Sequence, residues 1–120
     1  MLNSIKHFTG TVVHGEKVGR TLGYPTANID IKKEALSLAP GVYAAWVIIE
    51  EKRYQGALVI LDKPWKVEVH IIDMEPKDLY GLTIDIDVKE RVSDILEFSS
   101  LDALKKKIEQ DVEIIKELLL

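Results

Sequence analysis

Short apolar runs separated by turn-forming residues fill most of the chain, and the last segment changes to a different period. Residues 5–13 predict a first strand. Residues 14–25 predict a loop, since Gly15, Gly19, Gly23 and Pro25 each disfavour regular structure. A short strand over 27–31 follows. Pro40-Gly41 predicts a turn that launches 42–49, a run rich in β-branched and aromatic residues. Glu50-Glu51-Lys52 reads as a tight hairpin turn into 53–61, and Asp62-Lys63-Pro64 as another turn. In 66–72, Val67, Val69 and Ile71 share one face while Glu68 and His70 share the other. In 83–88, Ile84, Ile86 and Val88 alternate with Asp85 and Asp87.

Leu101, Leu104, Ile108, Val112, Ile115 and Leu119 then recur at spacings of three and four, the signature of an amphipathic helix. Ser99-Ser100-Leu101-Asp102 resembles a capping box in front of it. About six short antiparallel strands and one helix predict a mainly β fold, a small six-stranded Greek-key-like barrel with a C-terminal helix covering an opening or an edge. Closure would remove the exposed edges that so small a sheet otherwise carries. With 120 residues and no repeat, low-complexity tract or linker, residues 1–120 read as one domain.

Composition narrows the partners more than the fold. The hydrophobic fraction is 47% and the charged fraction 30%, ordinary for a soluble globular chain. No cysteine is present, which excludes disulfides and thiolate metal sites. No apolar run is long enough to span a bilayer, and residues 1–6 lack the apolar core of a signal peptide, so a cytoplasmic protein with no membrane partner is expected. The net charge of −4, with acidic residues spread along the chain, argues against a nucleic-acid surface. A small anionic ligand at the Lys17/Arg20 pair remains compatible with that balance.

The loop over 15–28 is the richest in candidate chemistry. It lacks the Gly-Lys-Ser/Thr ending of a Walker A motif, and it does not open a helix as a dinucleotide fingerprint must. Its glycines alone read as a turn. Thr26 and Asn28 add something else: on a strand, residues i and i+2 point the same way, so both side-chain oxygens can reach one hard cation such as Mg2+. The bland reading makes Thr26 a strand former and Asn28 a turn residue, and the residues alone leave both readings open. Glu68, mid-strand between valines, is either a solvated outward position or a base that accepts a hydroxyl proton. His70 is the runner-up base, more commonly an outward or satisfied histidine. Asp85 and Asp87 read as a polar strand face, Trp46 and Trp65 as packing, and Tyr80 as a turn aromatic able to cover a planar ligand.

In order along the chain, Val13-His14-Gly15-Glu16-Lys17-Val18-Gly19-Arg20-Thr21-Leu22-Gly23-Tyr24-Pro25-Thr26-Ala27-Asn28, Pro40-Gly41-Val42-Tyr43, Val67-Glu68-Val69-His70, Asp78-Leu79-Tyr80-Gly81 and Phe98-Ser99-Ser100-Leu101-Asp102 with Asp111 resemble the riboflavin kinase (flavokinase) family, over about residues 8–111. The resemblance implies a six-stranded antiparallel barrel with a C-terminal helix. It implies transfer of the ATP γ-phosphoryl group to the ribityl hydroxyl of riboflavin, giving FMN and ADP. By position it implies Thr26 and Asn28 as Mg2+ ligands, Gly15, Lys17, Arg20 and Thr26 at the ATP phosphates, and Glu68 as the base. Tyr80, Arg91 and Ser93 fall on the expected flavin side, and a monomer is expected.

Two departures stand out. Ser93, five residues before Phe98, occupies a position where many family members carry arginine; Arg91, expected on the same strand face, is the nearest substitute. Residues 54–68 also look shortened and lack the family's usual Asn-Ile-Gly and Pro-Thr-Phe. Bacterial members are usually fused to an adenylyltransferase, and with no such segment here FAD synthesis is not expected. The alternative reading is a non-catalytic flavin- or nucleotide-binding module on the same barrel; a plain interaction domain is the third.

Overall fold

The computed structural model describes residues 6–14, 24–95 and 100–120. Six strands form the body: β1 (Lys6–Val13), β2 (Thr26–Asp30), β3 (Gly41–Ile49), β4 (Lys52–Leu61), β5 (Lys66–Ile71) and β6 (Thr83–Ser93). They close into an antiparallel barrel in the order β1-β2-β5-β4-β3-β6. The run β6-β3-β4-β5 is a Greek key, three hairpin-connected strands with the fourth returned beside the first. A short 3-10 helix, Lys33–Ala35, interrupts the connection from β2 to β3, and a helix α1 (Leu101–Leu118) ends the chain.

The alternation in the sequence fixes which side chains fill the barrel. Ala27 and Ile29 of β2, Val47 and Ile49 of β3, Leu58 and Ile60 of β4, Val67, Val69 and Ile71 of β5, and Ile84 and Ile86 of β6 all lie in one buried cluster. Each fully buried Val, Leu or Ile is worth about 1.5–3 kcal/mol relative to exposure. The lumen is narrow, so it needs gaps as well as bulk. A Cβ on Gly56 would lie 2.6 Å from Val47 Cγ2 and 3.0 Å from Val69 Cγ2, so this position admits only hydrogen.

The expectation that the helix covers an opening or an edge is corrected. Helix α1 packs on the outside of the barrel wall, against β3, β4 and β6. Val112, Ile115 and Leu119 form a second buried cluster with Val42 and Ala44 of β3, Ala57 of β4 and Ile72. The reason is in β3, which is apolar on both faces: its inward residues fill the lumen, and Val42, Ala44 and Trp46 need a cover of their own. The cap of α1 is also one residue later than the sequence suggested. Ser100, in an extended conformation, accepts the Ala103 N–H at 3.2 Å; Ser99 lies outside the described residues.

The β3–β4 hairpin turns through two residues, Glu50 and Glu51, with Ile49 paired to Lys52. Both turn residues have positive φ, 50° and 70°, as a type I′ turn demands. Glutamate is a poor occupant of that region, where glycine carries no Cβ penalty. Glu51→Gly is expected to raise unfolding free energy by about 1 kcal/mol, read as a shift in denaturant midpoint at constant slope. Gly56→Val is expected to cost about 1–3 kcal/mol by overpacking the lumen; an unchanged midpoint would show that the wall can expand there.

Candidate functional site

The antiparallel pairing of β2 with β5 sets Thr26 opposite His70, Ala27 opposite Val69 and Asn28 opposite Glu68. Ala27 and Val69 are fully buried in the lumen, so the other four side chains share the outer wall. Directly opposed residues have Cβ atoms about 4.5–5.5 Å apart. The neighbouring strands extend each row. Exposed Val13 of β1 lies across from Asn28, and Val59 of β4 lies across from Glu68. In the second row Ala57 of β4 lies across from His70. Thr26, Asn28 and Glu68, singled out in the sequence from two separate segments, thus meet on one face.

The hydrogen bonding on this face is uneven. Thr26 Oγ1 donates to the Tyr24 carbonyl at 3.2 Å and lies 3.0 Å from His70 Nδ1. His70 is 6% exposed, and burial holds its pKa below the usual histidine value while the nearby Glu68 charge opposes that shift. The Tyr24 ring meets it edge-on at 6.5 Å. Histidine here therefore points to the outer face but is buried and hydrogen-bonded there, not a free base. Asn28 Oδ1 is buried and has no hydrogen-bond partner among the described residues. Such an atom costs about 1–3 kcal/mol in desolvation. An amide oxygen and a hydroxyl two strand residues apart, on one face, are neutral oxygen donors of the kind hard cations take. Glu68, with a side chain 14% exposed, holds Lys66 Nζ at 3.3 Å.

Tyr80 approaches from the β1 side. The turn that carries it is tied to the end of β1 by Gly81 N–H to the Val12 carbonyl (2.9 Å) and Val12 N–H to the Leu82 carbonyl (2.8 Å). Half exposed, Tyr80 stacks on His14 with ring centres 3.7 Å apart and planes 11° from parallel. His14 was not singled out for chemistry; its place just ahead of Gly15 was the available signal. Gly15, Lys17 and Arg20 lie outside the described residues.

Arg91 and Ser93 do not share a face as expected. Bulges shift the β3–β6 register between Val42 and Tyr43 and between Ala44 and Ala45. Each inserts an extra residue and breaks the two-residue alternation. Arg91 donates to the Pro40 carbonyl at 2.7 Å and pairs with Asp94 at 2.7 Å. Its guanidinium lies against Gly41, where a Cβ would come within 2.7 Å of Nη2. Ser93 turns to the helix, where its hydroxyl meets Asp111 at 3.1 Å and Lys107. Asp111 is 5% exposed and ion-paired to Lys107. Both residues sit beside β3, away from the β2–β5 face. Trp65 packs on the core and donates to the Ile31 carbonyl at 2.7 Å, and Trp46 lies under Arg53, so both tryptophans are structural.

Known proteins are similar to this chain in sequence and in fold. The chain is 37% identical over 110 residues to a bifunctional riboflavin kinase/FMN adenylyltransferase of Escherichia coli (strain K12), covering 86% of this chain and 34% of that protein. A protein of the same description from Haemophilus influenzae is 32% identical over 89% of this chain and 36% of its own length. The chain thus spans about a third of the curated relatives it matches. Among solved structures, riboflavin kinase from Trypanosoma brucei superposes with a TM-score of 0.76 at 28% identity, over 97% of this chain and 78% of that one. A Streptococcus pneumoniae structure titled as a macrolide-efflux protein gives 0.82 at 33% identity, over 92% of this chain and 38% of that one. The family model described as Flavokinase, riboflavin kinase, matches residues 2–119, and the chain belongs to that family.

Proposed function

We propose that this chain is an ATP:riboflavin 5′-phosphotransferase, with its nucleotide–metal half on the outer β2–β5 face. The observation that carries the reading is Asn28 Oδ1, buried and without a hydrogen-bond partner among the described residues, on the same face as Thr26 and directly across from Glu68. A purely structural wall would bury an apolar side chain there at less cost.

Thr26 and Asn28 are the residues that would hold a divalent cation, Mg2+ in this reading. A cation held there would supply charge neutralisation for the transferring phosphates. Gly15, Lys17 and Arg20 are assigned to the phosphates, with Thr26 at the junction. Phosphoryl transfer asks a protein mainly for alignment and charge neutralisation. Glu68 lies across from Asn28, so a ribityl hydroxyl brought to that face is within its reach. The hydroxyl oxygen forms a bond to the γ-phosphorus as its proton passes to the Glu68 carboxylate. The bond from the γ-phosphorus to the β,γ-bridging oxygen breaks, and ADP leaves with the electron pair. Tyr80, Arg91 and Ser93 are assigned to the flavin side, Ser93 with its hydroxyl already engaged by Lys107 and Asp111. The same reading takes residues 1–120 as one domain acting as a cytoplasmic monomer without nucleic acid. The acidic balance of the chain supports the last point.

The direct test is the purified chain with ATP, Mg2+ and riboflavin, read for FMN by chromatography. FMN formation is expected; riboflavin binding without FMN would select the non-catalytic binding module instead. Glu68→Gln is expected to lower turnover about 10²–10⁴-fold with ATP still bound, and near-normal turnover would remove Glu68 from the chemistry. Asn28→Leu separates site from scaffold. It is expected to leave ligand-free thermal stability equal or higher, because a buried polar atom with no partner among the described residues is replaced by a similar apolar shape, while metal-dependent nucleotide binding is lost in calorimetry. A large drop in stability would mean that Asn28 is held by structure rather than kept for a ligand.

A further inference from the structure

The side chain that completes the Thr26 environment has no role in the reaction as derived above. His70 is 6% exposed, sits opposite Thr26 on the adjacent strand, and brings Nδ1 to 3.0 Å from Thr26 Oγ1. A threonine hydroxyl has one proton and two lone pairs. The Tyr24 carbonyl, 3.2 Å away, can only accept, so both contacts of the hydroxyl are hydrogen bonds only if its proton goes there. With the proton committed there, the contact to His70 is favourable only if Nδ1 carries hydrogen and donates. One lone pair is then used and one is left, and the hydroxyl can act on the outer face only as an acceptor or ligand.

We propose that His70 is a positioning residue for the cation site: its Nδ1–H fixes Thr26 Oγ1 as an oxygen ligand rather than a donor. The proposal rests on the nucleotide–metal reading of this face, but its first test does not. With the opposite tautomer, Nδ1 would instead accept the Thr26 proton, the bond to Tyr24 would be lost, and both lone pairs would be unassigned. The tautomer is therefore the discriminating quantity, and it belongs to the free protein.

Long-range ¹H–¹⁵N correlation spectra of the ligand-free protein read the tautomer directly. The chain has three histidines, so His70→Asn identifies the signals of His70 by their loss. A neutral, Nδ1-protonated ring is expected; an Nε2-protonated ring overturns the proposal. The second test uses calorimetry of ADP with and without Mg2+. His70→Phe keeps bulk but removes the donor, and is expected to weaken Mg2+-dependent ADP binding about 10–100-fold, the usual loss when a ligand's supporting hydrogen bond is removed. Binding of ADP without metal should be unchanged. His70→Asn, whose side-chain N–H₂ can stand where Nδ1–H stood, is expected to recover most of the loss. Equal losses with and without metal, or no loss in His70→Phe, would overturn the positioning role. If the unsubstituted protein shows no Mg2+-dependent ADP binding at all, the nucleotide–metal reading fails, while the tautomer result still stands on its own.

Discussion

The register of β2 against β5 is the constraint on which the rest depends. Side chains alternate along a strand, so a slip of one residue would send Thr26 and Asn28 into the lumen and Ala27 outward. The register is held from inside: Ala27, Ile29, Val67, Val69 and Ile71 are all fully or nearly fully buried and have no other place to go. It is also held at the edge, where the Ile71 N–H donates to the Pro25 carbonyl at 2.9 Å. Hydrophobic burial in the lumen thus aligns polar groups on the wall. Barrel and site follow from one pattern, with apolar residues at odd positions of β5 from Val67 and polar ones at Glu68 and His70.

Outside that face the wall is treated differently, and the helix explains how. Where β3 and β4 are apolar on their outer side, α1 covers them with Val112, Ile115 and Leu119. Where β2 and β5 are polar, the same wall keeps an amide oxygen with no partner among the described residues and an ion-paired carboxylate. Native barrels rarely leave a buried acceptor unpaired, and such exceptions concentrate where a chain gives up stability for function. The division of the outer wall into a packed half and a costly half is the physical reason for assigning chemistry to the latter.

Much of this was legible in the sequence, though unevenly. Strand positions followed from β-branched runs and turn residues. The shared face of Thr26 and Asn28 followed from the spacing of two. The pairing of that segment with Glu68, forty residues on, could not be read from periodicity; it came through the family resemblance and is visible in the register. The seat of α1 differs from the expectation, although the two-faced apolarity of β3, with Val42, Ala44 and Trp46 interleaved among lumen residues, carries the signal. The parting of Arg91 from Ser93 was not legible, because bulges are set by the neighbouring strand. His70 looked outward by alternation, which is correct for its direction. Its burial depends on Tyr24 and on the helix-covered wall beside it, both distant in sequence.

Paramagnetic broadening tests most directly whether the outer β2–β5 face is the metal–nucleotide site. With Mn2+ and ADP added in place of Mg2+, amide signals of residues 26–28 and 67–69 should broaden first, and those of 112–118 on the helix should persist. Broadening centred on the helix or on β3, with residues 26–28 unaffected, would contradict the assignment.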